Sequence, residues 1–134
     1  MNGYYQDFGV LVGMVLTTIN VTRDGDDVID FVCDDGVTFR MFHEQACCEC
    51  VNIEDICGDI DDLLGSPILV AEELSNSDGV RPESADDSWT WTFYHIRTMK
   101  GTVTIRWFGT SNGSYSESVA FVKIRDAALR GGEG

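Results

Sequence analysis

The chain is divided into short runs of alternating apolar and polar residues by turns built from Gly, Asp and Asn. In the N-terminal part three such runs occupy residues 15–22, 28–33 and 37–43. One face of the third run, read with a period of two, holds Val37, Phe39, Met41 and His43. Runs of this kind, joined by Asp-Gly turns, are typical of antiparallel sheet, so we expect an N-terminal meander of three strands.

The last third of the chain has the strongest hairpin signals. Aromatic-rich runs cover residues 89–98, 102–108 and 115–125. They are separated by Gly101 and by Asn112-Gly113, which predicts two hairpins. One face of the first run holds Trp89, Trp91, Phe93, His95 and Arg97, and the other holds Tyr94 and Ile96. Both faces are apolar, which suggests cover on two sides. The register around Gly101 stays open, and a slip of one residue would move Arg106 to the opposite face.

The middle of the chain has a spacing that favours short helices. Apolar residues recur at Ile53, Ile56, Ile60, Leu63 and Leu64, with Gly58 interrupting them. Asp59 is placed to cap a helix that ends near Gly65. We therefore expect one or two short helices between about residues 53 and 64, then a strand at 68–74 and a polar loop at 75–88. The predicted fold class is α+β, mainly β, with about seven antiparallel strands.

Composition limits the classes of function. The 134 residues suit one compact domain, which we place at residues 1–126 with a flexible tail at 127–134. A hydrophobic content of 43% argues against disorder in spite of a net charge of −14. That charge disfavours nucleic acid and anionic membranes and favours basic protein partners. With no export signal or membrane span in the sequence, we expect a cytoplasmic protein with reduced thiols.

Residues 43–59, HEQACCECVNIEDICGD, contain four of the five cysteines. The candidate zinc ligands would be His43, Cys47, Cys48, Cys50 and Cys57. No CxxC pair occurs among them, and no acidic run matches an EF-hand loop, so we expect no metal and no cofactor. A cysteine nucleophile would need His43 or His95 as a base, but no motif orients either histidine. A binding protein is therefore favoured over an enzyme.

Charge is distributed unevenly along the chain. No Lys or Arg lies between Arg40 and Arg81, whereas the last third is basic. The two regions either neutralise each other or border a ligand pocket. For such a pocket the candidate binding residues are His43, Cys48, Glu49, Glu54, Asp55, Arg97, Arg106, Trp107, Asn112 and Tyr115. The arginines would bind phosphate oxygens and the rings would stack on a base, while core packing is favoured for Trp91 and Phe93.

Five motifs between about residues 14 and 121 occur together: HEQxCCExVxIEDICGD, GSPIL, WTFY, GxVTIRWxGxSNG and YSESV. This combination resembles an uncharacterised family of small proteins associated with bacteriophage genomes. The resemblance implies a phage accessory protein, a group that often inhibits host defence. This chain departs from the family pattern at Ala46, where an acidic residue is usual, and at Cys50, which is usually not cysteine.

The charge distribution and the resemblance together predict a non-enzymatic protein that binds and sequesters a nucleotide-derived host defence signal. The ligand would be a small anionic molecule of the cyclic nucleotide or ADP-ribose type. One alternative is an acidic inhibitor that binds a host defence protein, in some cases as a nucleic-acid mimic. A second is a hydrolase of the signal. A homo-oligomer also stays open, because pockets often form between subunits.

Overall fold

The structure, a computed structural model, describes residues 5–76 and 88–125. These residues form two four-stranded antiparallel sheets. The first sheet has the order β1-β2-β3-β8 and contains β1 (Leu16–Thr22), β2 (Val28–Cys33), β3 (Thr38–Phe42) and β8 (Ala120–Arg125). The second has the order β4-β7-β6-β5 and contains β4 (Cys50–Cys57), β5 (Val70–Asn76), β6 (Ser88–Thr98) and β7 (Gly101–Ser111). The mainly-β fold class and the N-terminal meander are thus confirmed.

One hydrophobic core joins the inner faces of the two sheets. The ring of Phe121 in β8 stacks on Phe39 in β3 with centroids 5.2 Å apart. Phe8, in a 3₁₀ turn at Phe8–Leu11, contacts Phe121 from the first sheet and Tyr94 from the second, at 5.0 and 4.7 Å. These side chains are almost fully buried. Each strand therefore has an apolar face that packs against the opposite sheet and an outer face that points away from it.

The tip of the β1–β2 hairpin closes part of the free edge of β4. The carboxylate of Asp27 accepts a hydrogen bond from the backbone N–H of Ile53 at 2.8 Å, and Arg23 donates to the carbonyl oxygen of Ile53 at 3.1 Å. Asn52 donates its side-chain N–H to the carbonyl oxygen of Gly25 at 2.9 Å. Backbone groups on an edge strand are therefore satisfied by the opposite sheet, which also fixes how the two sheets meet.

The expected helix over Ile53 and its neighbours is wrong. These residues belong to β4, in which Val51 and Ile53 point into the core. The helical part is a 3₁₀ turn at Ile60–Leu63, which Asp59 caps as expected by accepting from the N–H of Asp61 at 3.0 Å. Gly58 separates the two elements at a φ of +107°, and a Cβ there would lie 2.4 Å from a carbonyl oxygen of β7. A spacing of three between apolar residues is compatible with a bulged strand as well as with a helix.

The first C-terminal hairpin is confirmed and the second is wrong. Thr98 pairs with Gly101, so the β6–β7 turn holds two residues and Arg106 lies on the outer face. The turn at Asn112-Gly113 does form, with Asn112 accepting from the N–H of Ser114 at 2.9 Å. Residues 112–119 nevertheless cross to the other sheet, where β8 pairs with the edge of β3. A turn signal reports a local reversal of the chain and not the partner of the next strand.

The remaining sequence predictions are partly covered by the described residues. The strand expected at residues 68–74 is β5, at Val70–Asn76. Most of the polar loop predicted at residues 75–88, and the tail predicted at 127–134, lie outside the described residues. Within the described ranges, no helix has the length and apolar character needed to cross a membrane.

Candidate functional site

The acidic and basic segments of the sequence meet as neighbouring strands. β4 pairs with β7, and a bulge between Ile53 and Asp55 leaves Glu54 without an opposite residue. A bulge of this kind re-aims the side chains that follow it. It brings Glu54 and Asp55 together beside Arg106, which is the partner of Asp55 in the register. The two segments therefore border one another within a single sheet.

Arg106 is bound by several groups on the outer face of the second sheet. Its Nε donates to Oε1 of Glu54 at 2.7 Å, and its Nη2 also contacts that oxygen. The nearer Asp55 oxygen lies 4.0 Å from Nη2. The guanidinium carbon lies 5.5 Å from the ring centroid of Trp91, within the range of a cation–π contact. The guanidinium is thus held between two carboxylates and an aromatic ring.

Cys57, at the end of β4, is a thiol and not a thiolate. Its Sγ donates to the carboxylate of Asp55 at 3.1 Å. This hydrogen bond lowers the pKa of Asp55, with a further contribution from Arg106. The same carboxylate raises the pKa of Cys57. Because the thiolate is the nucleophilic form of cysteine, the arrangement disfavours Cys57 as a nucleophile.

A cleft of about 310 Å³ lies on the same outer face, beside this charged group. Its lining residues are Cys50, Asn52, Ile53, Glu54, Phe108 and Thr110. Phe108 pairs directly with Trp91 across β7 and β6, and their ring centroids are 4.4 Å apart with planes tilted by 46°. Both rings are half-buried. The cleft therefore combines an aromatic surface with polar groups, a composition that is typical of small-molecule sites.

His43 and Glu49 form a buried pair at the end of the sandwich. Nε2 of His43 lies 2.7 Å from Oε2 of Glu49, and the two side chains are 4% and 0% exposed. Nδ1 of His43 lies 2.7 Å from the carbonyl oxygen of Ser118. The carboxylate of Glu49 also accepts from the backbone N–H groups of Ala46 and Cys47, at 2.8 and 2.9 Å. The pair therefore ties residues 43–49 to the connection between β7 and β8.

The hydrogen bonds also define the protonation state of Glu49. The N–H of Ala46 makes the largest contribution to the low pKa of Glu49, and with His43 and Cys47 it holds that pKa at about 2 in spite of burial. Glu49 is thus an ionised acceptor at neutral pH, and Ser118 O can only accept. Both ring nitrogens of His43 are thus engaged with acceptor atoms. Since neither is available to accept a proton from a substrate, His43 is unsuited to act as a general base.

A second buried carboxylate holds the β7–β8 connection against the sheet. Glu117 accepts from the hydroxyl of Thr90 at 2.7 Å and from that of Ser111 at 2.5 Å. At Gly109 a Cβ would lie 3.0 Å from both Glu117 and Val51. The connection therefore packs tightly over β7, and Glu117, like Glu49, has its hydrogen bonds provided within the fold.

A smaller cavity of about 160 Å³ lies near the β1–β2 hairpin tip and is lined in part by Asp27 and His43. Asp27 already accepts from two backbone N–H groups, those of Ile53 and Gly25. His43 is bound to Glu49 and Ser118. Because Asp27 and His43 are engaged in contacts within the fold, this cavity is a weaker candidate than the cleft beside Phe108.

The expectation of reduced thiols is wrong for one pair of cysteines. Cys47 and Cys48 are joined by a disulfide between adjacent residues, while Cys33, Cys50 and Cys57 are free. The two thiols are brought together by their adjacency in the sequence and not by any other part of the fold. In the described part of the chain, no group of three or more His, Cys, Asp or Glu side chains could hold a metal ion.

The predicted site residues fall into separate groups. Glu54, Asp55 and Arg106 meet on the outer face, whereas His43 and Glu49 form the buried pair. Cys48 lies in the exposed disulfide. Arg97 is exposed on β6, four residues beyond the partner of Arg106 and so roughly 13 Å away along the strand. Asn112 and Tyr115 lie in the β7–β8 connection.

Trp107, which was predicted to stack on a ligand, is instead buried in the core. It is 1% exposed, lies on the inner face of β7 and donates its ring N–H to the sulfur of Met41 at 3.2 Å. Its neighbour Arg106 is on the outer face because successive residues of a strand point to opposite sides. Trp91, Phe93 and Phe108 are instead half-buried on the outer face, so the core packing expected for Trp91 and Phe93 is wrong. Trp91 shares a period-two face with Arg97, a signal that could have placed it outside, but the register between β6 and β7 is needed to place it beside Phe108.

Taken together, the fold and the cleft define an antiparallel β-sandwich with a half-exposed aromatic surface on one sheet. A family model described as a domain of unknown function (DUF7448) matches residues 10–121. The chain therefore belongs to the DUF7448 family. No curated protein and no solved structure matches the chain.

Proposed function

We propose that this chain is a non-enzymatic binding protein that sequesters a nucleotide-derived defence signal, and that the cleft beside Phe108 is its ligand site. The observation that supports this proposal is the combination of that cleft with the tilted Trp91–Phe108 pair and the adjacent Arg106–Glu54 ion pair. Aromatic rings are the common platform for nucleobases, because every base has a face that can stack. A carboxylate is a good acceptor for ribose hydroxyls and base amino groups.

The biological setting of the proposal comes from the sequence motifs. Their resemblance to a family associated with bacteriophage genomes leads us to propose a phage accessory protein that acts in the host bacterial cytoplasm. Sequestration is favoured over hydrolysis because His43 has both ring nitrogens engaged and the pKa of Cys57 is raised. A ligand recovered from the protein should therefore be chemically unchanged, which mass spectrometry after denaturation can check.

The Phe108→Ala variant tests the site. Base stacking on one ring contributes about 1–3 kcal/mol. Loss of the Phe108 ring is therefore expected to weaken binding of cyclic nucleotides or ADP-ribose derivatives by about five- to 150-fold. Isothermal titration calorimetry of the wild type and the variant measures this change.

A matched control is Leu74→Ala, because Leu74 is an exposed apolar residue of the same sheet, on β5. It is expected to leave the affinity unchanged. The proposal fails if none of these compounds binds the wild type, or if Phe108→Ala and Leu74→Ala bind the ligand equally well.

A second candidate function is inhibition of a basic host defence protein. The observation that favours it is the exposure of four acidic residues after β4, in a stretch of sequence without Lys or Arg: Asp59, Asp61, Glu72 and Glu73. Charge complementarity of this kind speeds association and makes it sensitive to salt.

Charge reversal separates this candidate from the first. If the acidic surface binds a host protein, Asp61→Lys combined with Glu72→Lys should abolish salt-sensitive capture of that protein, whereas Asp61→Glu should not. The reversed variant should still bind a nucleotide ligand in the cleft, because both positions lie outside its lining. Capture that survives both the charge reversal and raised salt would rule out an electrostatic interface of this kind.

A further inference from the structure

The guanidinium of Arg106 is neutralised by the protein itself. Glu54 accepts from its Nε at 2.7 Å, Asp55 lies 4.0 Å from its Nη2, and Trp91 covers one side. A phosphate that approached Arg106 would have to displace the carboxylate of Glu54 and would meet Asp55 at short range. Like charges repel at that distance even near the surface. Arg106 is therefore poorly placed to anchor an anionic group.

No Lys or Arg in the described ranges lines the cleft. Arg23 lies beside it and uses its Nη2 to donate to the carbonyl oxygen of the lining residue Ile53 at 3.1 Å. Arg97 is on the same strand as Trp91 but roughly 20 Å from it along β6. Lys100 donates to the carbonyl oxygen of Leu64, beyond the β6–β7 turn. The chain as a whole has a net charge of −14, which further opposes an anion at this face. The phosphates of a ligand would be better placed in solvent than in the cleft.

Two of the polar side chains that line the cleft offer hydrogen-bond acceptors. Asn52 donates one of its two amide N–H groups to the carbonyl oxygen of Gly25, and its own carbonyl oxygen can accept from a ligand. Both contacts of Arg106 with Glu54 are made to Oε1, which leaves Oε2. A carboxylate oxygen and an amide carbonyl oxygen can only accept. The part of a ligand that meets them must therefore present N–H or O–H donors.

The apolar part of the cleft suits a planar ring. Besides Cys50, the apolar residues that line the cleft are Phe108 and Ile53. Its volume of about 310 Å³ is at the lower end of the range for small-molecule pockets. A ring stacked on Phe108 would have its edge within reach of groups on β4, the neighbouring strand. A volume of this size has room for a base and its sugar, and less for a chain of phosphates.

From these four features we infer that the cleft binds the nucleoside portion of the ligand, through a base that bears an exocyclic amino group, and that the phosphates stay outside. Adenosine represents this class. Arg106 is then a positioning residue, which holds Glu54 in place for the amino group. The inference depends on the proposed function, because it names the part of the proposed ligand that the cleft recognises.

Three probes test the inference by calorimetry on the wild-type protein: adenosine, inosine and adenosine 5′-monophosphate. The monophosphate is expected to bind within about threefold of adenosine, because its phosphate makes no favourable contact. Inosine, in which a carbonyl replaces the amino group, is expected to bind at least about tenfold more weakly, since its carbonyl oxygen would face the acceptor oxygens of Glu54 and Asn52 in place of a donor.

Two variants check the assigned roles. Glu54→Gln should weaken adenosine more than inosine, because the amide replaces an acceptor oxygen with a donor. Arg106→Lys should weaken adenosine and the monophosphate by the same factor, so that the ratio of their affinities stays constant. A role for Arg106 in stability alone would leave both affinities unchanged in protein that is still folded, as judged by circular dichroism.

The outcomes separate the two proposals. If the monophosphate binds more than about tenfold tighter than adenosine and Arg106→Lys removes that advantage, Arg106 anchors the phosphate and the inference is wrong, while the proposed function stands. Equal binding of inosine and adenosine would overturn the amino-group assignment. If no nucleoside or nucleotide binds, the proposed function fails and the inference fails with it.

Discussion

Replacing Trp107 by alanine is expected to lower the free energy of unfolding by about 3–5 kcal/mol, the usual cost of removing a large aromatic side chain from a core. The ring is 1% exposed and its N–H donates to the sulfur of Met41, on the facing sheet. Its loss would leave a cavity between the sheets and would remove the hydrogen-bond donor of the Met41 sulfur. Urea unfolding followed by circular dichroism measures the change in free energy.

Trp91→Ala is the matched control for this prediction. Trp91 is the same residue type on the adjacent strand, but its ring is half-buried on the outer face. We expect a smaller loss of about 1–2 kcal/mol, because less apolar area is removed and the site stays open to water. If Trp91→Ala destabilised the protein as much as Trp107→Ala does, the two tryptophans could not lie on opposite faces as the structure places them.

Replacing Glu49 by glutamine is expected to lower the melting temperature at pH 7 by about 5–10 °C, because a buried carboxylate that accepts three hydrogen bonds would become an amide with one acceptor oxygen. In addition, the His43 ring would lose its anionic partner inside the fold. Differential scanning calorimetry of the wild type and the variant measures the shift.

The effect of Glu49 should depend on pH in a defined direction. Its pKa in the folded protein is about 2, below the ordinary value of 4.5. The contribution of the carboxylate to stability is therefore complete above about pH 4.5 and is lost progressively as the pH falls towards 2. The melting temperatures of the wild type and Glu49→Gln should converge over that interval.

Glu72→Gln provides the control for the pH series. Glu72 is an exposed residue of β5, and it should show little difference from the wild type at any pH. A difference between the wild type and Glu49→Gln that stayed constant from pH 7 to pH 2 would contradict the assignment of Glu49 as the titrating group.

Much of the fold follows from local patterns in the sequence. The Asp-Gly turns and the alternation around Phe39 predict the meander, and the alternation in β6 correctly separates Trp91 and Phe93 from Tyr94 and Ile96. β4 was mistaken for a helix because a bulge disturbs its alternation near Ile53. The position of β8 beside β3 was also missed, since a strand partner so distant in sequence leaves no local signal.

The candidate site was predicted in part. The sequence pointed to Glu54, Asp55 and Arg106, and the structure brings these three side chains together. The sequence did not indicate that Glu54 would form an ion pair with Arg106, with Asp55 close by. Nor did it indicate that Phe108 would line the cleft. A shift of one residue in the pairing of β4 with β7 would have moved these groups to different faces.

The sequence by itself determined the mainly-β class, the acidic character of the chain and the faces on which the residues of β6 lie. These properties depend on composition and on a period of two, which are local. The tertiary structure alone decided that β4 lies beside β7, that Trp107 is in the core and that Glu54 holds Arg106. The physical reason is that strand order and register minimise the free energy of the whole core, to which residues more than fifty positions apart contribute together.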